Sequence, residues 1–214
     1  SACLVGWEMC IRDSTYLLHD ETKQAVLIDC GVLHPQEKQA ITDYVTAHQL
    51  QITQAWQTHG HFDHIFGCQW AYETFGVSPL LHPADEHRYL HAGEELQLFL
   101  HQRVEIPVPS LAAYLADGQM LSFGNHDFEV IATPGHTPGG VCFYCATEKV
   151  LITGDSLFEG SIGRCDLPEG DMDTLVQSLQ TRVMTLPDDV RIYPGHGRSS
   201  TIGHERTSNP YLIP

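Results

Sequence analysis

The stretch QTHGHFDHIFG, Gln57 to Gly67, crowds His59, His61, Asp63 and His64 into one short run of chain. Imidazole and carboxylate are the side chains that hold divalent ions, at about 2.0–2.2 Å, so this spacing reads first as a metal-ligand pattern. His59 and His61, two apart in an extended turn, point the same way and can chelate one ion. Asp63 and His64 step onto a following helical turn and can face a second.

Upstream of this stretch, TYLLHD and QAVLIDCG read as two strands joined by the polar ETK, a hairpin. PQEKQAITDYVTAHQL reads as a helix opened by Pro35, with Ala40, Ile41, Tyr44, Val45 and Leu50 near helical spacing, and ITQAWQTH returns to strand. Downstream, DHIFGCQWAYETFG is expected to be a helix ending at Gly76, VSPLLHP a strand, ADEHRYLHAGEELQLFLHQRV helical and EIPVPSLAAY a loop. QMLSFGNHDFEVIATPGH, GGVCFYCATEKVLITGD and DDVRIYPGH then supply further strands, and DMDTLVQSLQTRVMTL a helix with acidic charge at its start. The chain therefore alternates β and α. The coordinating residues fall just past strands, in AWQTHGH, VIATPGH, VLITGD and RIYPGH, which adds His136, Asp155 and His196 beside turn-forming glycines. An α/β protein builds its site this way, from loops at one edge of a sheet.

The 214 residues are expected to form one domain over 15–214. Residues 1–14, SACLVGWEMCIRDS, are set apart as a doubtful segment: they carry neither clean alternation nor a capped helical stripe, and resemble translated adapter read-through, with a divergent edge strand as the other reading. The formal charge of −16 lacks the basic footprint of nucleic-acid binders, so no nucleic-acid partner is expected. No apolar run is long enough to span a bilayer and no secretory leader is evident, so no membrane partner and a cytoplasmic location are expected. Seven cysteines without framework spacing do not imply an oxidising compartment. Cys142 and Cys145 form a C-x-x-C, but in a strand positions three apart face opposite sides, which argues against a metal or redox pair.

With the ligand pattern assembled, the sequence resembles the metallo-β-lactamase superfamily, whose signature is H-x-H-x-D-H followed by a distant His, Asp and final His. All seven positions are matched in order across roughly 15–212. The resemblance implies an α/β, four-layer αβ/βα sandwich of two mixed sheets with helices outside. It implies that His59, His61 and His136 hold one metal, that Asp63, His64 and His196 hold the other, and that Asp155 bridges them. Asp29, at the end of VLIDCG, matches a family aspartate that orients a ligand without binding the metal, the other reading being an ordinary turn carboxylate. Nine further histidines have no place in the signature, and of these only His204 lies near a site loop.

GDSLFEGSIGRCDLPEGD together with YPGHG and TIGHERTSNPYL resembles the short glyoxalase II-like, or hydroxyacylglutathione hydrolase-like, proteins. That resemblance implies two divalent ions, zinc foremost with iron or manganese as the other choices. It also implies a small-molecule acyl thioester attacked by a hydroxide the metals generate, with Asp63 and Asp155 as the acidic members of the catalytic set. Two dications outweigh those carboxylates and the hydroxide, so an anionic substrate can enter a strongly negative protein. The chain given ends at Pro214 without the basic C-terminal region of longer glyoxalase II enzymes, so the expected substrate is a small acyl thioester without glutathione being singled out as its thiol. Arg164, Arg206 and His204 are the substrate-binding candidates, each arginine being either a carboxylate clamp or half of a structural salt bridge, with Asp166 an available partner. The rivals are a mononuclear iron persulfide dioxygenase, a lactonase or β-lactamase, and a non-catalytic binding module. Oligomeric state is not read from the sequence.

Overall fold

The structure is a computed structural model that describes residues 15–101 and 104–213; the doubtful segment 1–14 lies outside the described residues. The described chain divides into two compact units. One runs to Tyr114 and includes Ser122–Asn125; the other comprises Leu115–Leu121 and the chain from His126 onward.

In the first unit, β1 (Tyr16–His19) and β2 (Gln24–Ile28) pair antiparallel across a polar turn in which Asp20 accepts from the Thr22 N–H at 2.9 Å. From β2 the chain crosses through α1 (Pro35–His48) to β3 (Gln51–Trp56), which lies parallel to β2. The start of α1 follows from its sequence. Pro35 tolerates the first turn because its missing N–H has no helical partner there, and Glu37 reaches back to accept from the Leu33 and His34 N–H groups at 2.9 Å each. Ile41 and Val45, one turn apart, are the buried positions of α1, each contributing about 1.5–3 kcal/mol by leaving water. A second crossover uses α2 (Phe62–Ile65) and α3 (Cys68–Phe75) before β4 (Pro79–Leu81). A third uses the 3-10 turn Pro83–Asp85, α4 (Glu86–Leu90) and α5 (Ala92–Leu100) before the two-residue strand β5 (Ala113–Tyr114). The sheet order is β1-β2-β3-β4-β5, and β2 to β5 run parallel. The parallel strands therefore present one common edge at which their C-terminal ends deliver residues 29, 57–64 and 82–85.

Two expected helices are each broken. Between α2 and α3 the chain dips at Gly67, whose N–H donates to the Cys30 carbonyl at 2.8 Å; a Cβ there would meet Val32 and the Cys30 sulfur. Between α4 and α5, His91 leaves helical geometry at φ −116°. The expected loop 105–114 ends in β5, both of whose residues are exposed.

The remaining strands are β6 (Met120–Phe123), whose last two residues are counted with the first unit, and, all in the second unit, β7 (His126–Ala132), β8 (Val141–Cys145), β9 (Val150–Gly154), the small antiparallel pair β10 (Leu157–Phe158) and β11 (Ser161–Ile162), β12 (Arg191–Pro194) and β13 (Ser200–Thr201). The main sheet has order β13-β12-β9-β8-β7-β6. β7 and β9 are each antiparallel to β8, and β12 is parallel to β9, so β7, β9 and β12 all run the same way and end at the same edge. The helices are α6 (Met172–Ser178), capped by Asp171 accepting from the Thr174 N–H at 3.0 Å and continuing into the π-helical turn Leu179–Val183, and α7 (Ile202–Ser208).

Cys30 and Cys68 are buried in the first unit and Cys142 and Cys145 in the second, all as free thiols. Burial pushes the Cys68 thiol up to about 12 and the Cys142 thiol up to about 11, so both stay protonated and neither is a ready metal ligand or nucleophile. No helix among the described residues is long and apolar enough to cross a membrane.

Candidate metal centre

In the first unit the ligand-type side chains come off the ends of β2 and β3. His59, His61 and His64 are buried, while Asp63 is partly exposed. The His59 and His61 rings meet edge-on with centroids 4.8 Å apart, and the His59 and His64 centroids are 4.1 Å apart. Asp63 Oδ2 lies 3.9 Å from His64 Nε2.

Asp29 organises this group. It stands at the end of β2 with φ +52°, a left-handed conformation that Asp tolerates better than most residues, and its own N–H is fixed to the Trp56 carbonyl at 2.9 Å. Its Oδ1 accepts from the Thr58 N–H at 2.6 Å, and its Oδ2 accepts from the Thr58 hydroxyl at 2.6 Å and faces His64 Nδ1 at 3.0 Å. Because the Thr58 hydroxyl donates to Asp29, its lone pairs are what face His59 Nδ1, 3.0 Å away. One carboxylate thus fixes two rings, one directly and one through a hydroxyl, and in each the nitrogen left to ligate is Nε2. Asp29, His59 and His64 each bring a ligand-type atom within 4.8 Å of the others, but both Asp29 oxygens are already engaged by Thr58 and His64, an arrangement that fits orienting the rings better than coordinating an ion.

Three residues not singled out in the sequence complete this half. After β4, Asp85 is fully buried and accepts from the Gly60 N–H at 2.9 Å. Glu95 of α5 places Oε1 3.3 Å from His61 Nε2 and 2.6 Å from Arg88 Nη1 of α4, with all three side chains nearly inaccessible. Burial pushes the Glu95 carboxyl up from the usual range, and the Arg88 guanidinium pulls it back down. Neither carboxylate sits at a recognisable motif spacing; the contacts are made by tertiary folding.

In the second unit, β7, β9 and β12 deliver His136, Asp155 and His196. Asp155 Oδ2 lies 3.8 Å from His136 Nε2 and 3.5 Å from His196 Nε2. His136 Nδ1 is 2.7 Å from the Arg164 carbonyl, which again makes Nε2 the nitrogen that a metal could meet. Gly163 makes that geometry possible: a Cβ there would collide with the Asp155 carbonyl and lie 3.0 Å from the His136 ring.

These donor sets fit divalent metals. Two donors about 2.1 Å from a shared ion are at most about 4.2 Å apart, and the pairs Asp63–His64, Asp155–His136 and Asp155–His196 all satisfy that limit. Anchoring of the far ring nitrogen, found at His59, His64 and His136, is the support that metal-ligating histidines require.

The substrate candidates have other partners. Arg206 donates to the Met184 and Leu186 carbonyls at 2.6–3.0 Å and pairs with Asp188, which gives it a structural post below the end of the π-helical turn. Arg164 is exposed rather than buried and makes a two-pronged contact with Asp166 at 2.8 Å, which holds that carboxyl at about 2. His204 is exposed on α7, its backbone N–H bonded to Thr201 Oγ1 at 3.2 Å.

Residues 12–196 match the family model described as the metallo-beta-lactamase superfamily. The chain is 35% identical to hydroxyacylglutathione hydrolase GloC of Haemophilus influenzae over 92% of this chain and 91% of that protein. Among solved structures it is similar to the BLEG-1 B3 metallo-beta-lactamase, with TM-score 0.86 and 31% identity, covering 100% of this chain and 99% of that one. TTHA1623 in a di-iron-bound form gives TM-score 0.80 and 34% identity over 92% and 94% of the two chains. ETHE1 from Myxococcus xanthus gives 0.73 and 27% over 92% and 77%. The family model spans most of the chain, and GloC and TTHA1623 align over nearly their whole lengths: this protein belongs to the metallo-β-lactamase superfamily.

Proposed function

We propose that this protein is a two-metal hydrolase of small acyl thioesters. In this reading His59, His61 and His136 hold one ion, Asp63, His64 and His196 hold the other, and Asp155 is shared between them. The family's ligand order, matched at all seven positions, is what joins the two sets. The observation that carries the reading is the anchoring of His59, His64 and His136 at Nδ1 by Thr58, Asp29 and the Arg164 carbonyl, which makes Nε2 of each ring the nitrogen that a metal would meet. Kinship with a hydroxyacylglutathione hydrolase supports the thioester. Zinc leads, and the di-iron form of TTHA1623 keeps iron as the second choice.

When bound, two divalent ions supply Lewis acidity that lowers the pKa of water and polarises a carbonyl. The chain's own residues set the rest. Asp63 and Asp155 would offset cationic charge as ligands. The thiolate then leaves without obligatory protonation, since a thiol has a pKa near about 8.5.

The test is elemental analysis of protein purified without added metal, alongside hydrolysis of S-D-lactoylglutathione, turnover of a β-lactam, and oxygen uptake with glutathione persulfide. Two ions per chain with thioester turnover is the expected result. One iron per chain with oxygen uptake and no thioester cleavage would replace this reading with the mononuclear iron persulfide dioxygenase. β-Lactam turnover alone would point to the BLEG-1 activity.

A further inference from the structure

We propose that Glu95, braced by Arg88, is a positioning residue for His61: it accepts the proton on His61 Nε2 and thereby commits Nδ1 of that ring to the metal. The inference rests on the metal-binding reading above, and concerns a residue pair that no ligand signature contains.

The argument begins with cost. Arg88 and Glu95 are both about nine-tenths buried, and replacing a buried ion pair with apolar side chains of similar volume is often neutral or stabilising. Packing alone therefore gives little reason for a charged pair here. What the pair touches gives one. Glu95 Oε1 accepts from Arg88 Nη1 at 2.6 Å and lies 3.3 Å from His61 Nε2, an ion-pair approach and not an aligned hydrogen bond, while its equally buried Oε2 makes no hydrogen bond among the described residues. The carboxylate is thus turned towards the histidine and the guanidinium, and not spent on the backbone of its own helix.

The arrangement is also the reverse of that at His59 and His64. Those rings are held at Nδ1, by Thr58 and Asp29, and present Nε2. His61 has the carboxylate at Nε2, so Nδ1 is its remaining donor. The edge-on contact of the His59 and His61 rings, at 90°, agrees with two neighbouring ligands that approach through different nitrogens. A carboxylate on the far nitrogen both fixes the tautomer and raises the basicity of the ligating atom. Asp85, bonded to the Gly60 N–H between the two histidines, holds the same turn from the backbone side, so the segment after β4 grips the His59–Gly60–His61 turn at two points.

The test has two readouts, neither of them turnover. Ring nitrogen–proton correlation spectra of the metal-free protein, with His61→Ala to assign the signal, report where the His61 proton sits. Zinc affinity by competition with a chromophoric chelator reports the consequence. In the unaltered protein the proton is expected on Nε2. Glu95→Gln, which keeps an accepting oxygen, should weaken zinc binding only a few-fold. Glu95→Leu should weaken it about ten- to hundred-fold and release the proton to either nitrogen. Because Glu95→Leu alone strands a buried guanidinium, the double variant Arg88→Met/Glu95→Leu is run beside it. It should fold with near-unaltered stability and show the same zinc deficit. Unchanged zinc affinity in the folded double variant, or a His61 proton on Nδ1 in the unaltered protein, overturns the proposal. An unaltered protein that takes up no zinc or iron at all overturns the metal reading instead, and the proton position still decides the Glu95 contact.

Discussion

Asp29 distributes one buried carboxylate over three donors on two neighbouring segments, so its loss is felt by both His59 and His64. Asp29→Ala is expected to cost about 1–3 kcal/mol of stability, from the buried donors it strands, and about ten- to hundred-fold in metal affinity. Denaturant titration of the metal-free variant and chelator competition check the two effects separately. Asp155→Asn is expected to abolish turnover and most metal uptake while leaving the metal-free fold intact; full turnover with two ions still bound would refute its shared-ligand role. The seven proposed ligand positions and Asp29 could be picked out from the sequence because each is a metal-binding residue type in a segment that follows a strand, and that information is local. Glu95, Arg88 and Asp85 were not, because what matters about them is the turn they touch across folded segments, and nothing in ADEHRYLHAGEEL marks those contacts.

At the level of elements, the β and α alternation carried most of the architecture, since hydrophobic period and Gly and Pro punctuation are local properties. It failed where tertiary packing decided. Gly67 splits one helix because the backbone must approach Cys30 and Val32, and β5 has two exposed residues that leave no alternating pattern to read. The π-helical turn Leu179–Val183 gives a prediction of its own. Arg182 on that turn makes a two-pronged contact with Asp117, both bonds 2.9 Å, and holds the Asp117 carboxyl below its usual value. Because the folded-state pKa lies below the unfolded one, the stabilisation is complete above the unfolded value near about 3.9 and is lost as the pH falls through the folded value. The pair is substantially exposed, so Arg182→Met should cost no more than about 1 kcal/mol at neutral pH. That difference should shrink in high salt and vanish in strong acid, as denaturant midpoints across pH would show. Gly163→Ala, by contrast, should disturb Asp155 and His136 together and be read as lost metal content.

For the whole molecule, ions that bind only the folded chain stabilise it by mass action, about 2.7 kcal/mol at a free concentration one hundred times the dissociation constant. In a chain of this size each kcal/mol moves the melting temperature by about 2–4 °C, so stripping metal with a chelator should lower it by about 5–10 °C. A scanning melt with and without chelator, and after zinc is restored, checks this. Charge and composition carry only an expectation about partners, and they are silent on the division into two compact units, because that depends on which contacts form and not on which residues are present. The buried cysteines turn that division into something measurable. Each unit encloses two shielded thiols, Cys30 and Cys68 in one and Cys142 and Cys145 in the other. An alkylating reagent added to the native protein can reach them only when their unit opens, and peptide mass spectrometry then gives every unit its own clock, without a label or a mutation.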